Sequence, residues 1–185
     1  MSEHSAGQPS PSVSEHRQAA AATLRFSVLT ISDSRTLDND HSGALLIERM
    51  EAAGHHLQMR RIVRDEVHEI ALAVRELTVT AEKQEIPATT NEVLLLTGGT
   101  GISPRDQTVE AVMPLLEMSL PGFGELFRML SYQEIGPAAM LSRAFAGRIG
   151  QTLVFALPGS VHAVRLAAEK LLIPELPHLV HHACQ

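Results

Sequence analysis

The sequence has few of the residues that nucleic-acid-binding proteins depend on. Aromatic residues make up 3% of the 185 residues, with no Trp and one Tyr. Its 15 Lys and Arg are outnumbered by 21 Asp and Glu, so the net charge is -6. Nucleic acids are bound by clustered basic side chains, and single strands also by aromatic stacking. We therefore expect no nucleic-acid partner, whereas a small anionic ligand held locally by backbone amides is compatible with this composition.

Cysteine and long apolar runs are also scarce. The single cysteine, Cys184, is one residue from the end, so the chain cannot form an internal disulfide. No apolar run approaches the length that spans a bilayer. The segment 1–11 lacks the basic-then-apolar pattern of a signal peptide. These absences predict a cytoplasmic protein without a membrane partner.

The order of apolar segments predicts one α/β domain. Residues 1–23 contain Ser, Pro and Ala but almost no large apolar side chains, so we predict a disordered tail. Residues 24–185 are predicted to form a single domain. Predicted strands alternate with predicted helices, which indicates a three-layer α/β/α fold with a mostly parallel sheet. The strands are expected near residues 24–32, 56–65, 92–97 and 151–159.

Several local features are expected from turn and capping residues. Ser42 is a candidate N-cap for a helix that ends before Gly54. A helix is expected over 107–118, and the next helix should turn Phe123, Leu126, Phe127 and Leu130 inward. Pro174 is expected to break the last helix. The segment SRAFAGRIG (142–150) has no clear pattern.

The segment LLLTGGTGISPRD (94–106) indicates a phosphate site. Its glycines, Gly98, Gly99 and Gly101, let a ligand approach the main chain, and a helix predicted after Asp106 points free amides at the turn. Thr97 and Thr100 add hydroxyl donors. The segment is not a P-loop, because no Lys-Ser or Lys-Thr pair follows the last glycine, and Pro104 replaces the third glycine of a dinucleotide site. A tight turn without a ligand is the alternative.

Two acidic residues have two interpretations each. Asp106 either caps the following helix or holds a divalent cation beside a phosphate. Asp65 follows the second strand and is either a solvated cap or a second carboxylate at the same edge of the sheet. The loops 32–42, 97–106 and 157–160 all follow strands, and ligands of parallel sheets bind beyond the carboxyl ends of strands.

Histidines and methionines outside these loops have simpler explanations. His178, His181 and His182 have the spacing of a zinc site, but a solvated surface cluster is favoured. His162 lies either in the pocket or at a helix start. The methionines are expected in the core or at a subunit interface; they are Met113, Met118, Met129 and Met140.

Six segments together resemble one known family, the molybdenum cofactor biosynthesis proteins of the MoaB/Mog type. They are LTISDSR (29–35), RDE (64–66), LLTGGTGISPRDQTVEAV (95–112), PGFGELFRMLSYQEIG (121–136), SRAFAG (142–147) and FALPGS (155–160). The segments 130–136, 142–147 and 155–160 are more similar to the MoaB type than to established adenylyltransferases.

The resemblance implies a domain that binds molybdopterin, a phosphorylated pterin dithiolene. Catalytic members join its terminal phosphate to AMP from ATP, with Mg²⁺, and release pyrophosphate. Asp65 and Asp106 match the acidic residues of that family and are expected to be catalytic and to hold Mg²⁺. The expected substrate and phosphate residues are Ser32, Asp33, Thr97, Gly98, Gly99, Thr100, Gly101, Gly122, Glu125, Pro158, Gly159 and Ser160.

The resemblance also implies a homotrimer or homohexamer that works with other molybdenum cofactor assembly proteins. Three functions stay open at this point: an adenylyltransferase, a non-catalytic molybdopterin-binding protein, and a module of related fold that acts on other nucleotides. The choice between ATP and GTP, and between trimer and hexamer, is open as well.

Overall fold

The computed structural model of the chain describes residues 23–78 and 92–183. The predicted disordered tail lies outside these ranges except for its last residue. Cys184 and most of the linking segment 85–92 also lie outside them. Within the described residues no helix is long and apolar enough to cross a membrane.

The described residues build one six-stranded sheet. Its strands are β1 (Arg25–Ile31), β2 (His56–Val63), β3 (Val93–Thr97), β4 (Met118–Ser119), β5 (Phe145–Ile149) and β6 (Thr152–Leu157). Their order is β2-β1-β3-β6-β5-β4, with the first four parallel to one another, β5 antiparallel to β6, and β4 antiparallel to β5. The mostly parallel sheet is confirmed, and the unassigned segment after residue 142 forms β5. Strands β3 and β6 are buried at every position, as expected for strands covered on both faces.

Helices cover both faces of the sheet. They are α1 (His41–Ala52), α2 (Val67–Leu77), α3 (Thr108–Val112), α4 (Pro121–Ile135), α5 (Val161–Ala167) and α6 (Ile173–Ala183). Two 3-10 segments, Met113–Leu115 and Gly136–Leu141, and a π-helical segment, Ala168–Leu172, complete the chain between them. Side chains of α1, α4, α5 and α6 form one apolar cluster with the sheet, and those of α2 and α3 form another on the opposite face. The three-layer α/β/α fold is thereby confirmed.

Two predicted helix ends are wrong. Helix α1 begins at His41 and its cap is Asp40, whose Oδ1 accepts a hydrogen bond from the Gly43 amide at 2.9 Å. Ser42 instead donates its hydroxyl to the same carboxylate. Pro174 does not break the last helix, because the π-helical segment directly before it leads into α6 without a gap. A π-helical turn of this kind accommodates a residue that cannot donate a backbone hydrogen bond.

Two further expectations are corrected by the packing of α3 and α4. The helix predicted over 107–118 ends at Val112, because a 3-10 turn that contains Pro114 follows it directly and the chain then enters β4. In α4, Phe123 and Phe127 are buried but Leu126 points outward and is 48% exposed. The ring of Phe123 packs edge-on against Phe155 of β6, with 5.2 Å between centroids, which fixes α4 on the sheet.

Candidate functional site

Four parallel strands end at the same edge of the sheet. The register pairs Ile31 with Val63, and Thr97 with both Thr30 and Leu157. The loops after β1, β2, β3 and β6 therefore start side by side. The chain turns to β2 on one side of β1 and to β3 on the other, so a topological switch point lies between β1 and β3, where open α/β sheets bind ligands.

Other atoms of the protein pack closely around the first two glycines of the glycine-rich turn. Gly98 has φ +108, and a Cβ there would lie 2.2 Å from the carbonyl oxygen of Ile31. Gly99 has φ +63, and a Cβ would lie 2.3 Å from Thr108 Oγ1 and 2.8 Å from an oxygen of Asp65. The glycines are thus needed for backbone conformation and close internal packing, in addition to any ligand.

The third glycine differs from the first two. Gly101 does not have a positive φ, but its Cβ would lie 2.7 Å from Asp106 Oδ2. On the other side of the turn, a Cβ on Gly159 would lie 3.3 Å from the Cα of Gly98. The turn is therefore packed between the acidic residues and the loop after β6.

The two threonines of the turn have different environments. Thr97 donates its hydroxyl to the carbonyl oxygen of Pro158 at 3.2 Å, so it ties the turn to the loop after β6. Thr100 is 2% exposed and its Oγ1 has no hydrogen-bond partner. Thr100 lines a cavity of about 220 Å³ with Phe127, Ser131, Pro158 and Ser160 among others. An unpaired buried hydroxyl costs about 1–3 kcal/mol, so this donor is available for a ligand at little further cost.

Asp65 is a buried carboxylate beside the turn. It is 6% exposed, which makes the solvated-cap interpretation wrong, and its Oδ1 accepts a hydrogen bond from the Gln107 amide at 2.9 Å. Burial raises the pKa of Asp65; the Gln107 hydrogen bond opposes this, while the charges of Asp106 and Asp33 raise the pKa further. A cation at this position would relieve that repulsion.

Asp106 does not cap the following helix. Its Oδ2 accepts a hydrogen bond from the Ser103 amide at 2.9 Å, which closes a small turn within the loop. The residue before α3 is Gln107, and its side chain makes no cap hydrogen bond. The capping interpretation of Asp106 is therefore wrong, and its second oxygen is not used by that turn.

Arg105 joins the loops after β1, β2 and β3. Its Nε and Nη2 donate to the two oxygens of Asp33 at 2.6 and 2.7 Å, and its Nη1 donates to Glu66 at 2.8 Å. The hydrogen bonds from Arg105 hold the pKa of Asp33 below its usual range, and the two carboxylates raise the pKa of Arg105. The side chain of Arg105 is 49% exposed and engages two carboxylates.

Arg143, which the sequence did not single out, holds the outer part of the turn. Its amide donates to the carbonyl of Thr100 at 2.9 Å, its Nε to that of Gly101 at 2.6 Å, and its Nη2 to that of Asp106 at 3.1 Å. Its Nη1 pairs with Glu110 of α3, and the hydrogen bond lowers the pKa of that carboxyl. Its position in SRAFAG was the only sequence signal, and nothing in that pattern indicates which carbonyls it binds.

Of the remaining predicted site residues, two serines accept local backbone hydrogen bonds and two residues of α4 lie away from the cavities. Ser32 Oγ accepts from the amides of Ser34 and Arg35, and Ser160 Oγ accepts from the Ala163 amide and caps α5. Gly122 and Glu125 lie exposed near the start of α4. They line neither the Thr100 cavity nor a separate cavity that Asp106 and Gln107 line.

The structure also shows where the singled-out histidines and methionines lie. His162 pairs with Glu134 at 2.6 Å beside a second cavity. Met113, Met118, Met129 and Met140 are 43%, 48%, 52% and 74% exposed, so they do not pack in the core, and their expected place at a subunit interface stays a prediction. Across residues 23–78 and 92–183 no group of three or more His, Cys, Asp or Glu side chains forms a metal site.

This arrangement defines an α/β protein with a glycine-rich loop at the switch point of its sheet, a buried unpaired hydroxyl, and two aspartates beside the loop. Comparison with known proteins gives the family. The chain belongs to the molybdenum cofactor biosynthesis family described as a probable molybdopterin binding domain, whose model matches residues 27–178. The resemblance predicted from the motifs is confirmed.

Individual relatives agree with this assignment. The chain is 50% identical over 170 residues to molybdenum cofactor biosynthesis protein B of Bacillus subtilis, covering 91% of this chain and 95% of the relative. A crystal structure of a molybdenum cofactor biosynthesis protein B is 47% identical, with a TM-score of 0.80 over 88% of this chain and 96% of that one. The tungsten cofactor synthesizing protein MoaB from Pyrococcus furiosus is 38% identical, with a TM-score of 0.75 over 88% and 98%. The predicted similarity to the MoaB type is confirmed.

Proposed function

We propose that the chain binds molybdopterin through its phosphate at the glycine-rich loop and adenylylates it with ATP and Mg²⁺, releasing pyrophosphate. The unpaired hydroxyl of Thr100 is the observation that supports this best. It is buried at the wall of a cavity, inside the loop that the motifs single out, and an anionic oxygen would satisfy it.

The surroundings of the cavity suit a ligand with a flat apolar part and an anionic tail. Phe127, Ile135 and Leu141 supply apolar lining, whereas Ser131, Ser142 and Ser160 supply hydroxyls. Ligand sites commonly combine apolar walls with a few convergent polar groups. A phosphorylated pterin has both parts.

The residues beside the loop fit a magnesium ion. Mg²⁺ is usually held by one or two carboxylates together with substrate phosphates, so the absence of a third ligand among the described residues is no obstacle. Asp65 and Asp106 would hold the ion, since each uses one oxygen in a backbone hydrogen bond and has another oxygen left for it. The bound ion would supply charge neutralisation for the phosphates.

The proposed reaction needs positioning more than acid or base chemistry. An ionised oxygen of the molybdopterin phosphate attacks the α-phosphorus of ATP, the new P–O bond forms, and the bond to pyrophosphate breaks. The attacking oxygen is already charged at neutral pH, so no strong general base is needed. The loop and Thr100 would orient the pterin phosphate, and Arg143 would keep the loop carbonyls in place.

A pyrophosphate assay tests catalysis. Purified protein is mixed with molybdopterin and Mg-ATP, and pyrophosphate release is followed together with molybdopterin binding; GTP in place of ATP reports the nucleotide preference. Release above the rate without protein supports the proposal. Tight molybdopterin binding without release would leave the non-catalytic binding function. Pterin binding no stronger than that of unrelated purine phosphates would favour a module acting on other nucleotides.

A valine substitution tests the role of Thr100. Thr100→Val removes an unpaired buried hydroxyl, so we expect a free energy of unfolding that is equal or higher by about 1 kcal/mol, and molybdopterin affinity that falls by about tenfold. The matched control is Thr78→Val, because Thr78 is equally buried but donates its hydroxyl to Val74. The control should lose stability and keep affinity. Unchanged affinity in Thr100→Val would contradict the proposed ligand contact.

We also propose that the chain forms the homotrimer or homohexamer that the family resemblance implies, and that it self-associates through α4 and the 3-10 segment after it. Large apolar side chains are exposed there, namely Leu126, Met129, Tyr132, Ile135, Met140 and Leu141, each 48% exposed or more. A group of exposed apolar side chains of this size is typical of an interaction surface. Sedimentation analysis should find a trimer or hexamer that Met129→Glu weakens, with Leu72→Glu on α2, also exposed, as the control. A monomeric wild-type protein would exclude this proposal.

A further inference from the structure

Two histidines of α6 face each other one helical turn apart. The Nε2 atoms of His178 and His182 are 2.9 Å apart, and the rings meet at 75° with centroids separated by 4.6 Å. Two imidazole nitrogens bound to one metal at about 2.0–2.1 Å lie about 3 Å apart. The two nitrogens therefore already have the separation of a chelating pair.

A carboxylate fixes the tautomer of the first histidine. His178 Nδ1 lies 3.2 Å from Glu175 Oε2. An ionised carboxylate can only accept, so Nδ1 carries the hydrogen and donates it. In the neutral ring the lone pair is then on Nε2, which faces His182. A carboxylate that orients the distal nitrogen of a ligand histidine is the common outer support of protein metal sites.

The position of the pair makes it accessible to an ion. His178 is half-buried against the helix, with a side chain 23% exposed, and His182 is exposed at the end of α6. His181, between them in sequence, has its ring centroid 5.8 Å from that of His182 and is also exposed. Water can complete the coordination sphere, because a pair of ligands on a helix surface leaves the remaining positions open.

From this geometry we propose that His178 and His182 form a surface chelate for a late first-row divalent metal such as Zn²⁺, with Glu175 as the positioning residue. Imidazole nitrogen is a preferred ligand of zinc, copper and nickel, whereas magnesium prefers oxygen. The hydrogen on His182 Nε2 leaves to solvent as the metal takes its place, and His182 Nδ1 takes up a proton from solvent, so that both histidines bind as neutral imidazoles. This site is separate from the glycine-rich loop, and it stands whether or not the chain adenylylates molybdopterin.

Zinc binding to the tag-free full chain tests the proposal. Binding is measured by competition with a chromophoric zinc chelator, in excess Mg²⁺ to occupy the carboxylates beside the loop, and with Cys184→Ser to remove the thiol as a ligand. We expect saturable binding of one zinc per chain. His178→Ala and His182→Ala should each abolish it, and Glu175→Ala should weaken it about tenfold.

The control is His181→Ala, which removes a neighbouring imidazole of the same helix and should leave binding unchanged. Circular dichroism confirms that each variant folds. Absence of saturable binding in the unsubstituted background would overturn the proposal. Binding that survives both His178→Ala and His182→Ala, or that is lost equally in His181→Ala, would overturn it as well.

Discussion

A series of glycine-to-alanine substitutions separates two constraints on Gly99, namely its backbone conformation and the space available for a Cβ. Alanine at Gly99 would meet a positive φ of +63 and a Cβ contact of 2.3 Å with Thr108 Oγ1. Gly54 has φ +90 but nothing within 4 Å of a Cβ, so it isolates the conformational cost. Gly122, which has no positive φ and nothing within 4 Å, isolates the substitution itself.

The magnitudes follow from these geometries. A positive φ costs alanine about 1–2 kcal/mol, and overpacking against fixed neighbours costs about 1–3 kcal/mol more. Gly99→Ala should therefore lower the free energy of unfolding by about 2–5 kcal/mol, and Gly54→Ala by about 1–2 kcal/mol. Gly122→Ala, in the first turn of α4, should be neutral or stabilising by up to about 1 kcal/mol.

Urea unfolding followed by circular dichroism measures all three variants. The slope of the free energy against urea should stay unchanged, so that midpoints report stability directly. Molybdopterin affinity should fall in Gly99→Ala, because the new methyl group displaces the Asp65 carboxylate, and should stay constant in Gly54→Ala. If Gly99→Ala unfolds at the same urea concentration as Gly54→Ala, Thr108 and Asp65 do not pack closely around Gly99 in solution.

Three further predictions concern titratable groups. Asp40→Asn should destabilise the fold by about 3 kcal/mol, because it breaks a buried pair with Arg60. Burial alone would raise the pKa of Asp40, but its hydrogen bonds outweigh the effect of burial and lower the pKa. The stability that Asp40 contributes is therefore present above pH 3.8 and is lost as the pH falls below that value. An unchanged acid-unfolding profile in the variant would refute this prediction. Arg105→Ala should raise the pKa of Asp33 in an NMR titration. The free energy of unfolding should change little, because both side chains are exposed. An unchanged pKa of Asp33 would show that the contact does not form in solution. Burial lowers the pKa of His55, so stability should decline as the pH falls below 6.5, and His55→Gln should flatten that decline.

The central part of the fold was predictable because its strands are buried on both faces. Strands β3 and β6 are nearly continuous apolar runs, a pattern typical of strands buried on both faces. Strands β5 and β4, at one end of the sheet, were not predictable from pattern. Strand β4 has two residues, and β5 contains Gly147 and Arg148, so its place in the sheet comes from pairing with β6.

The site was predictable as a location but not as a set of contacts. Strand ends and glycines indicated which loops meet, the positions of Asp65 and Asp106 singled them out, and the resemblance implied a role for them. The neighbours of Gly98 and Gly99 are brought close only by the fold, since Ile31 and Asp65 are far away in sequence. The same holds for Arg143, which hydrogen-bonds to Gly101 although the two residues are 42 positions apart in the sequence.

The insertion of β6 between β3 and β5 has a consequence for biosynthesis. The amide of Gly98 donates to Leu157 and the hydroxyl of Thr97 to Pro158, so the glycine-rich turn gains its last supports from residues synthesised some sixty positions later. A nascent chain that has reached only α4 carries every glycine of the turn and cannot yet hold its shape. Ligand affinity in a ribosome-bound series of increasing length should therefore appear abruptly once β6 has emerged.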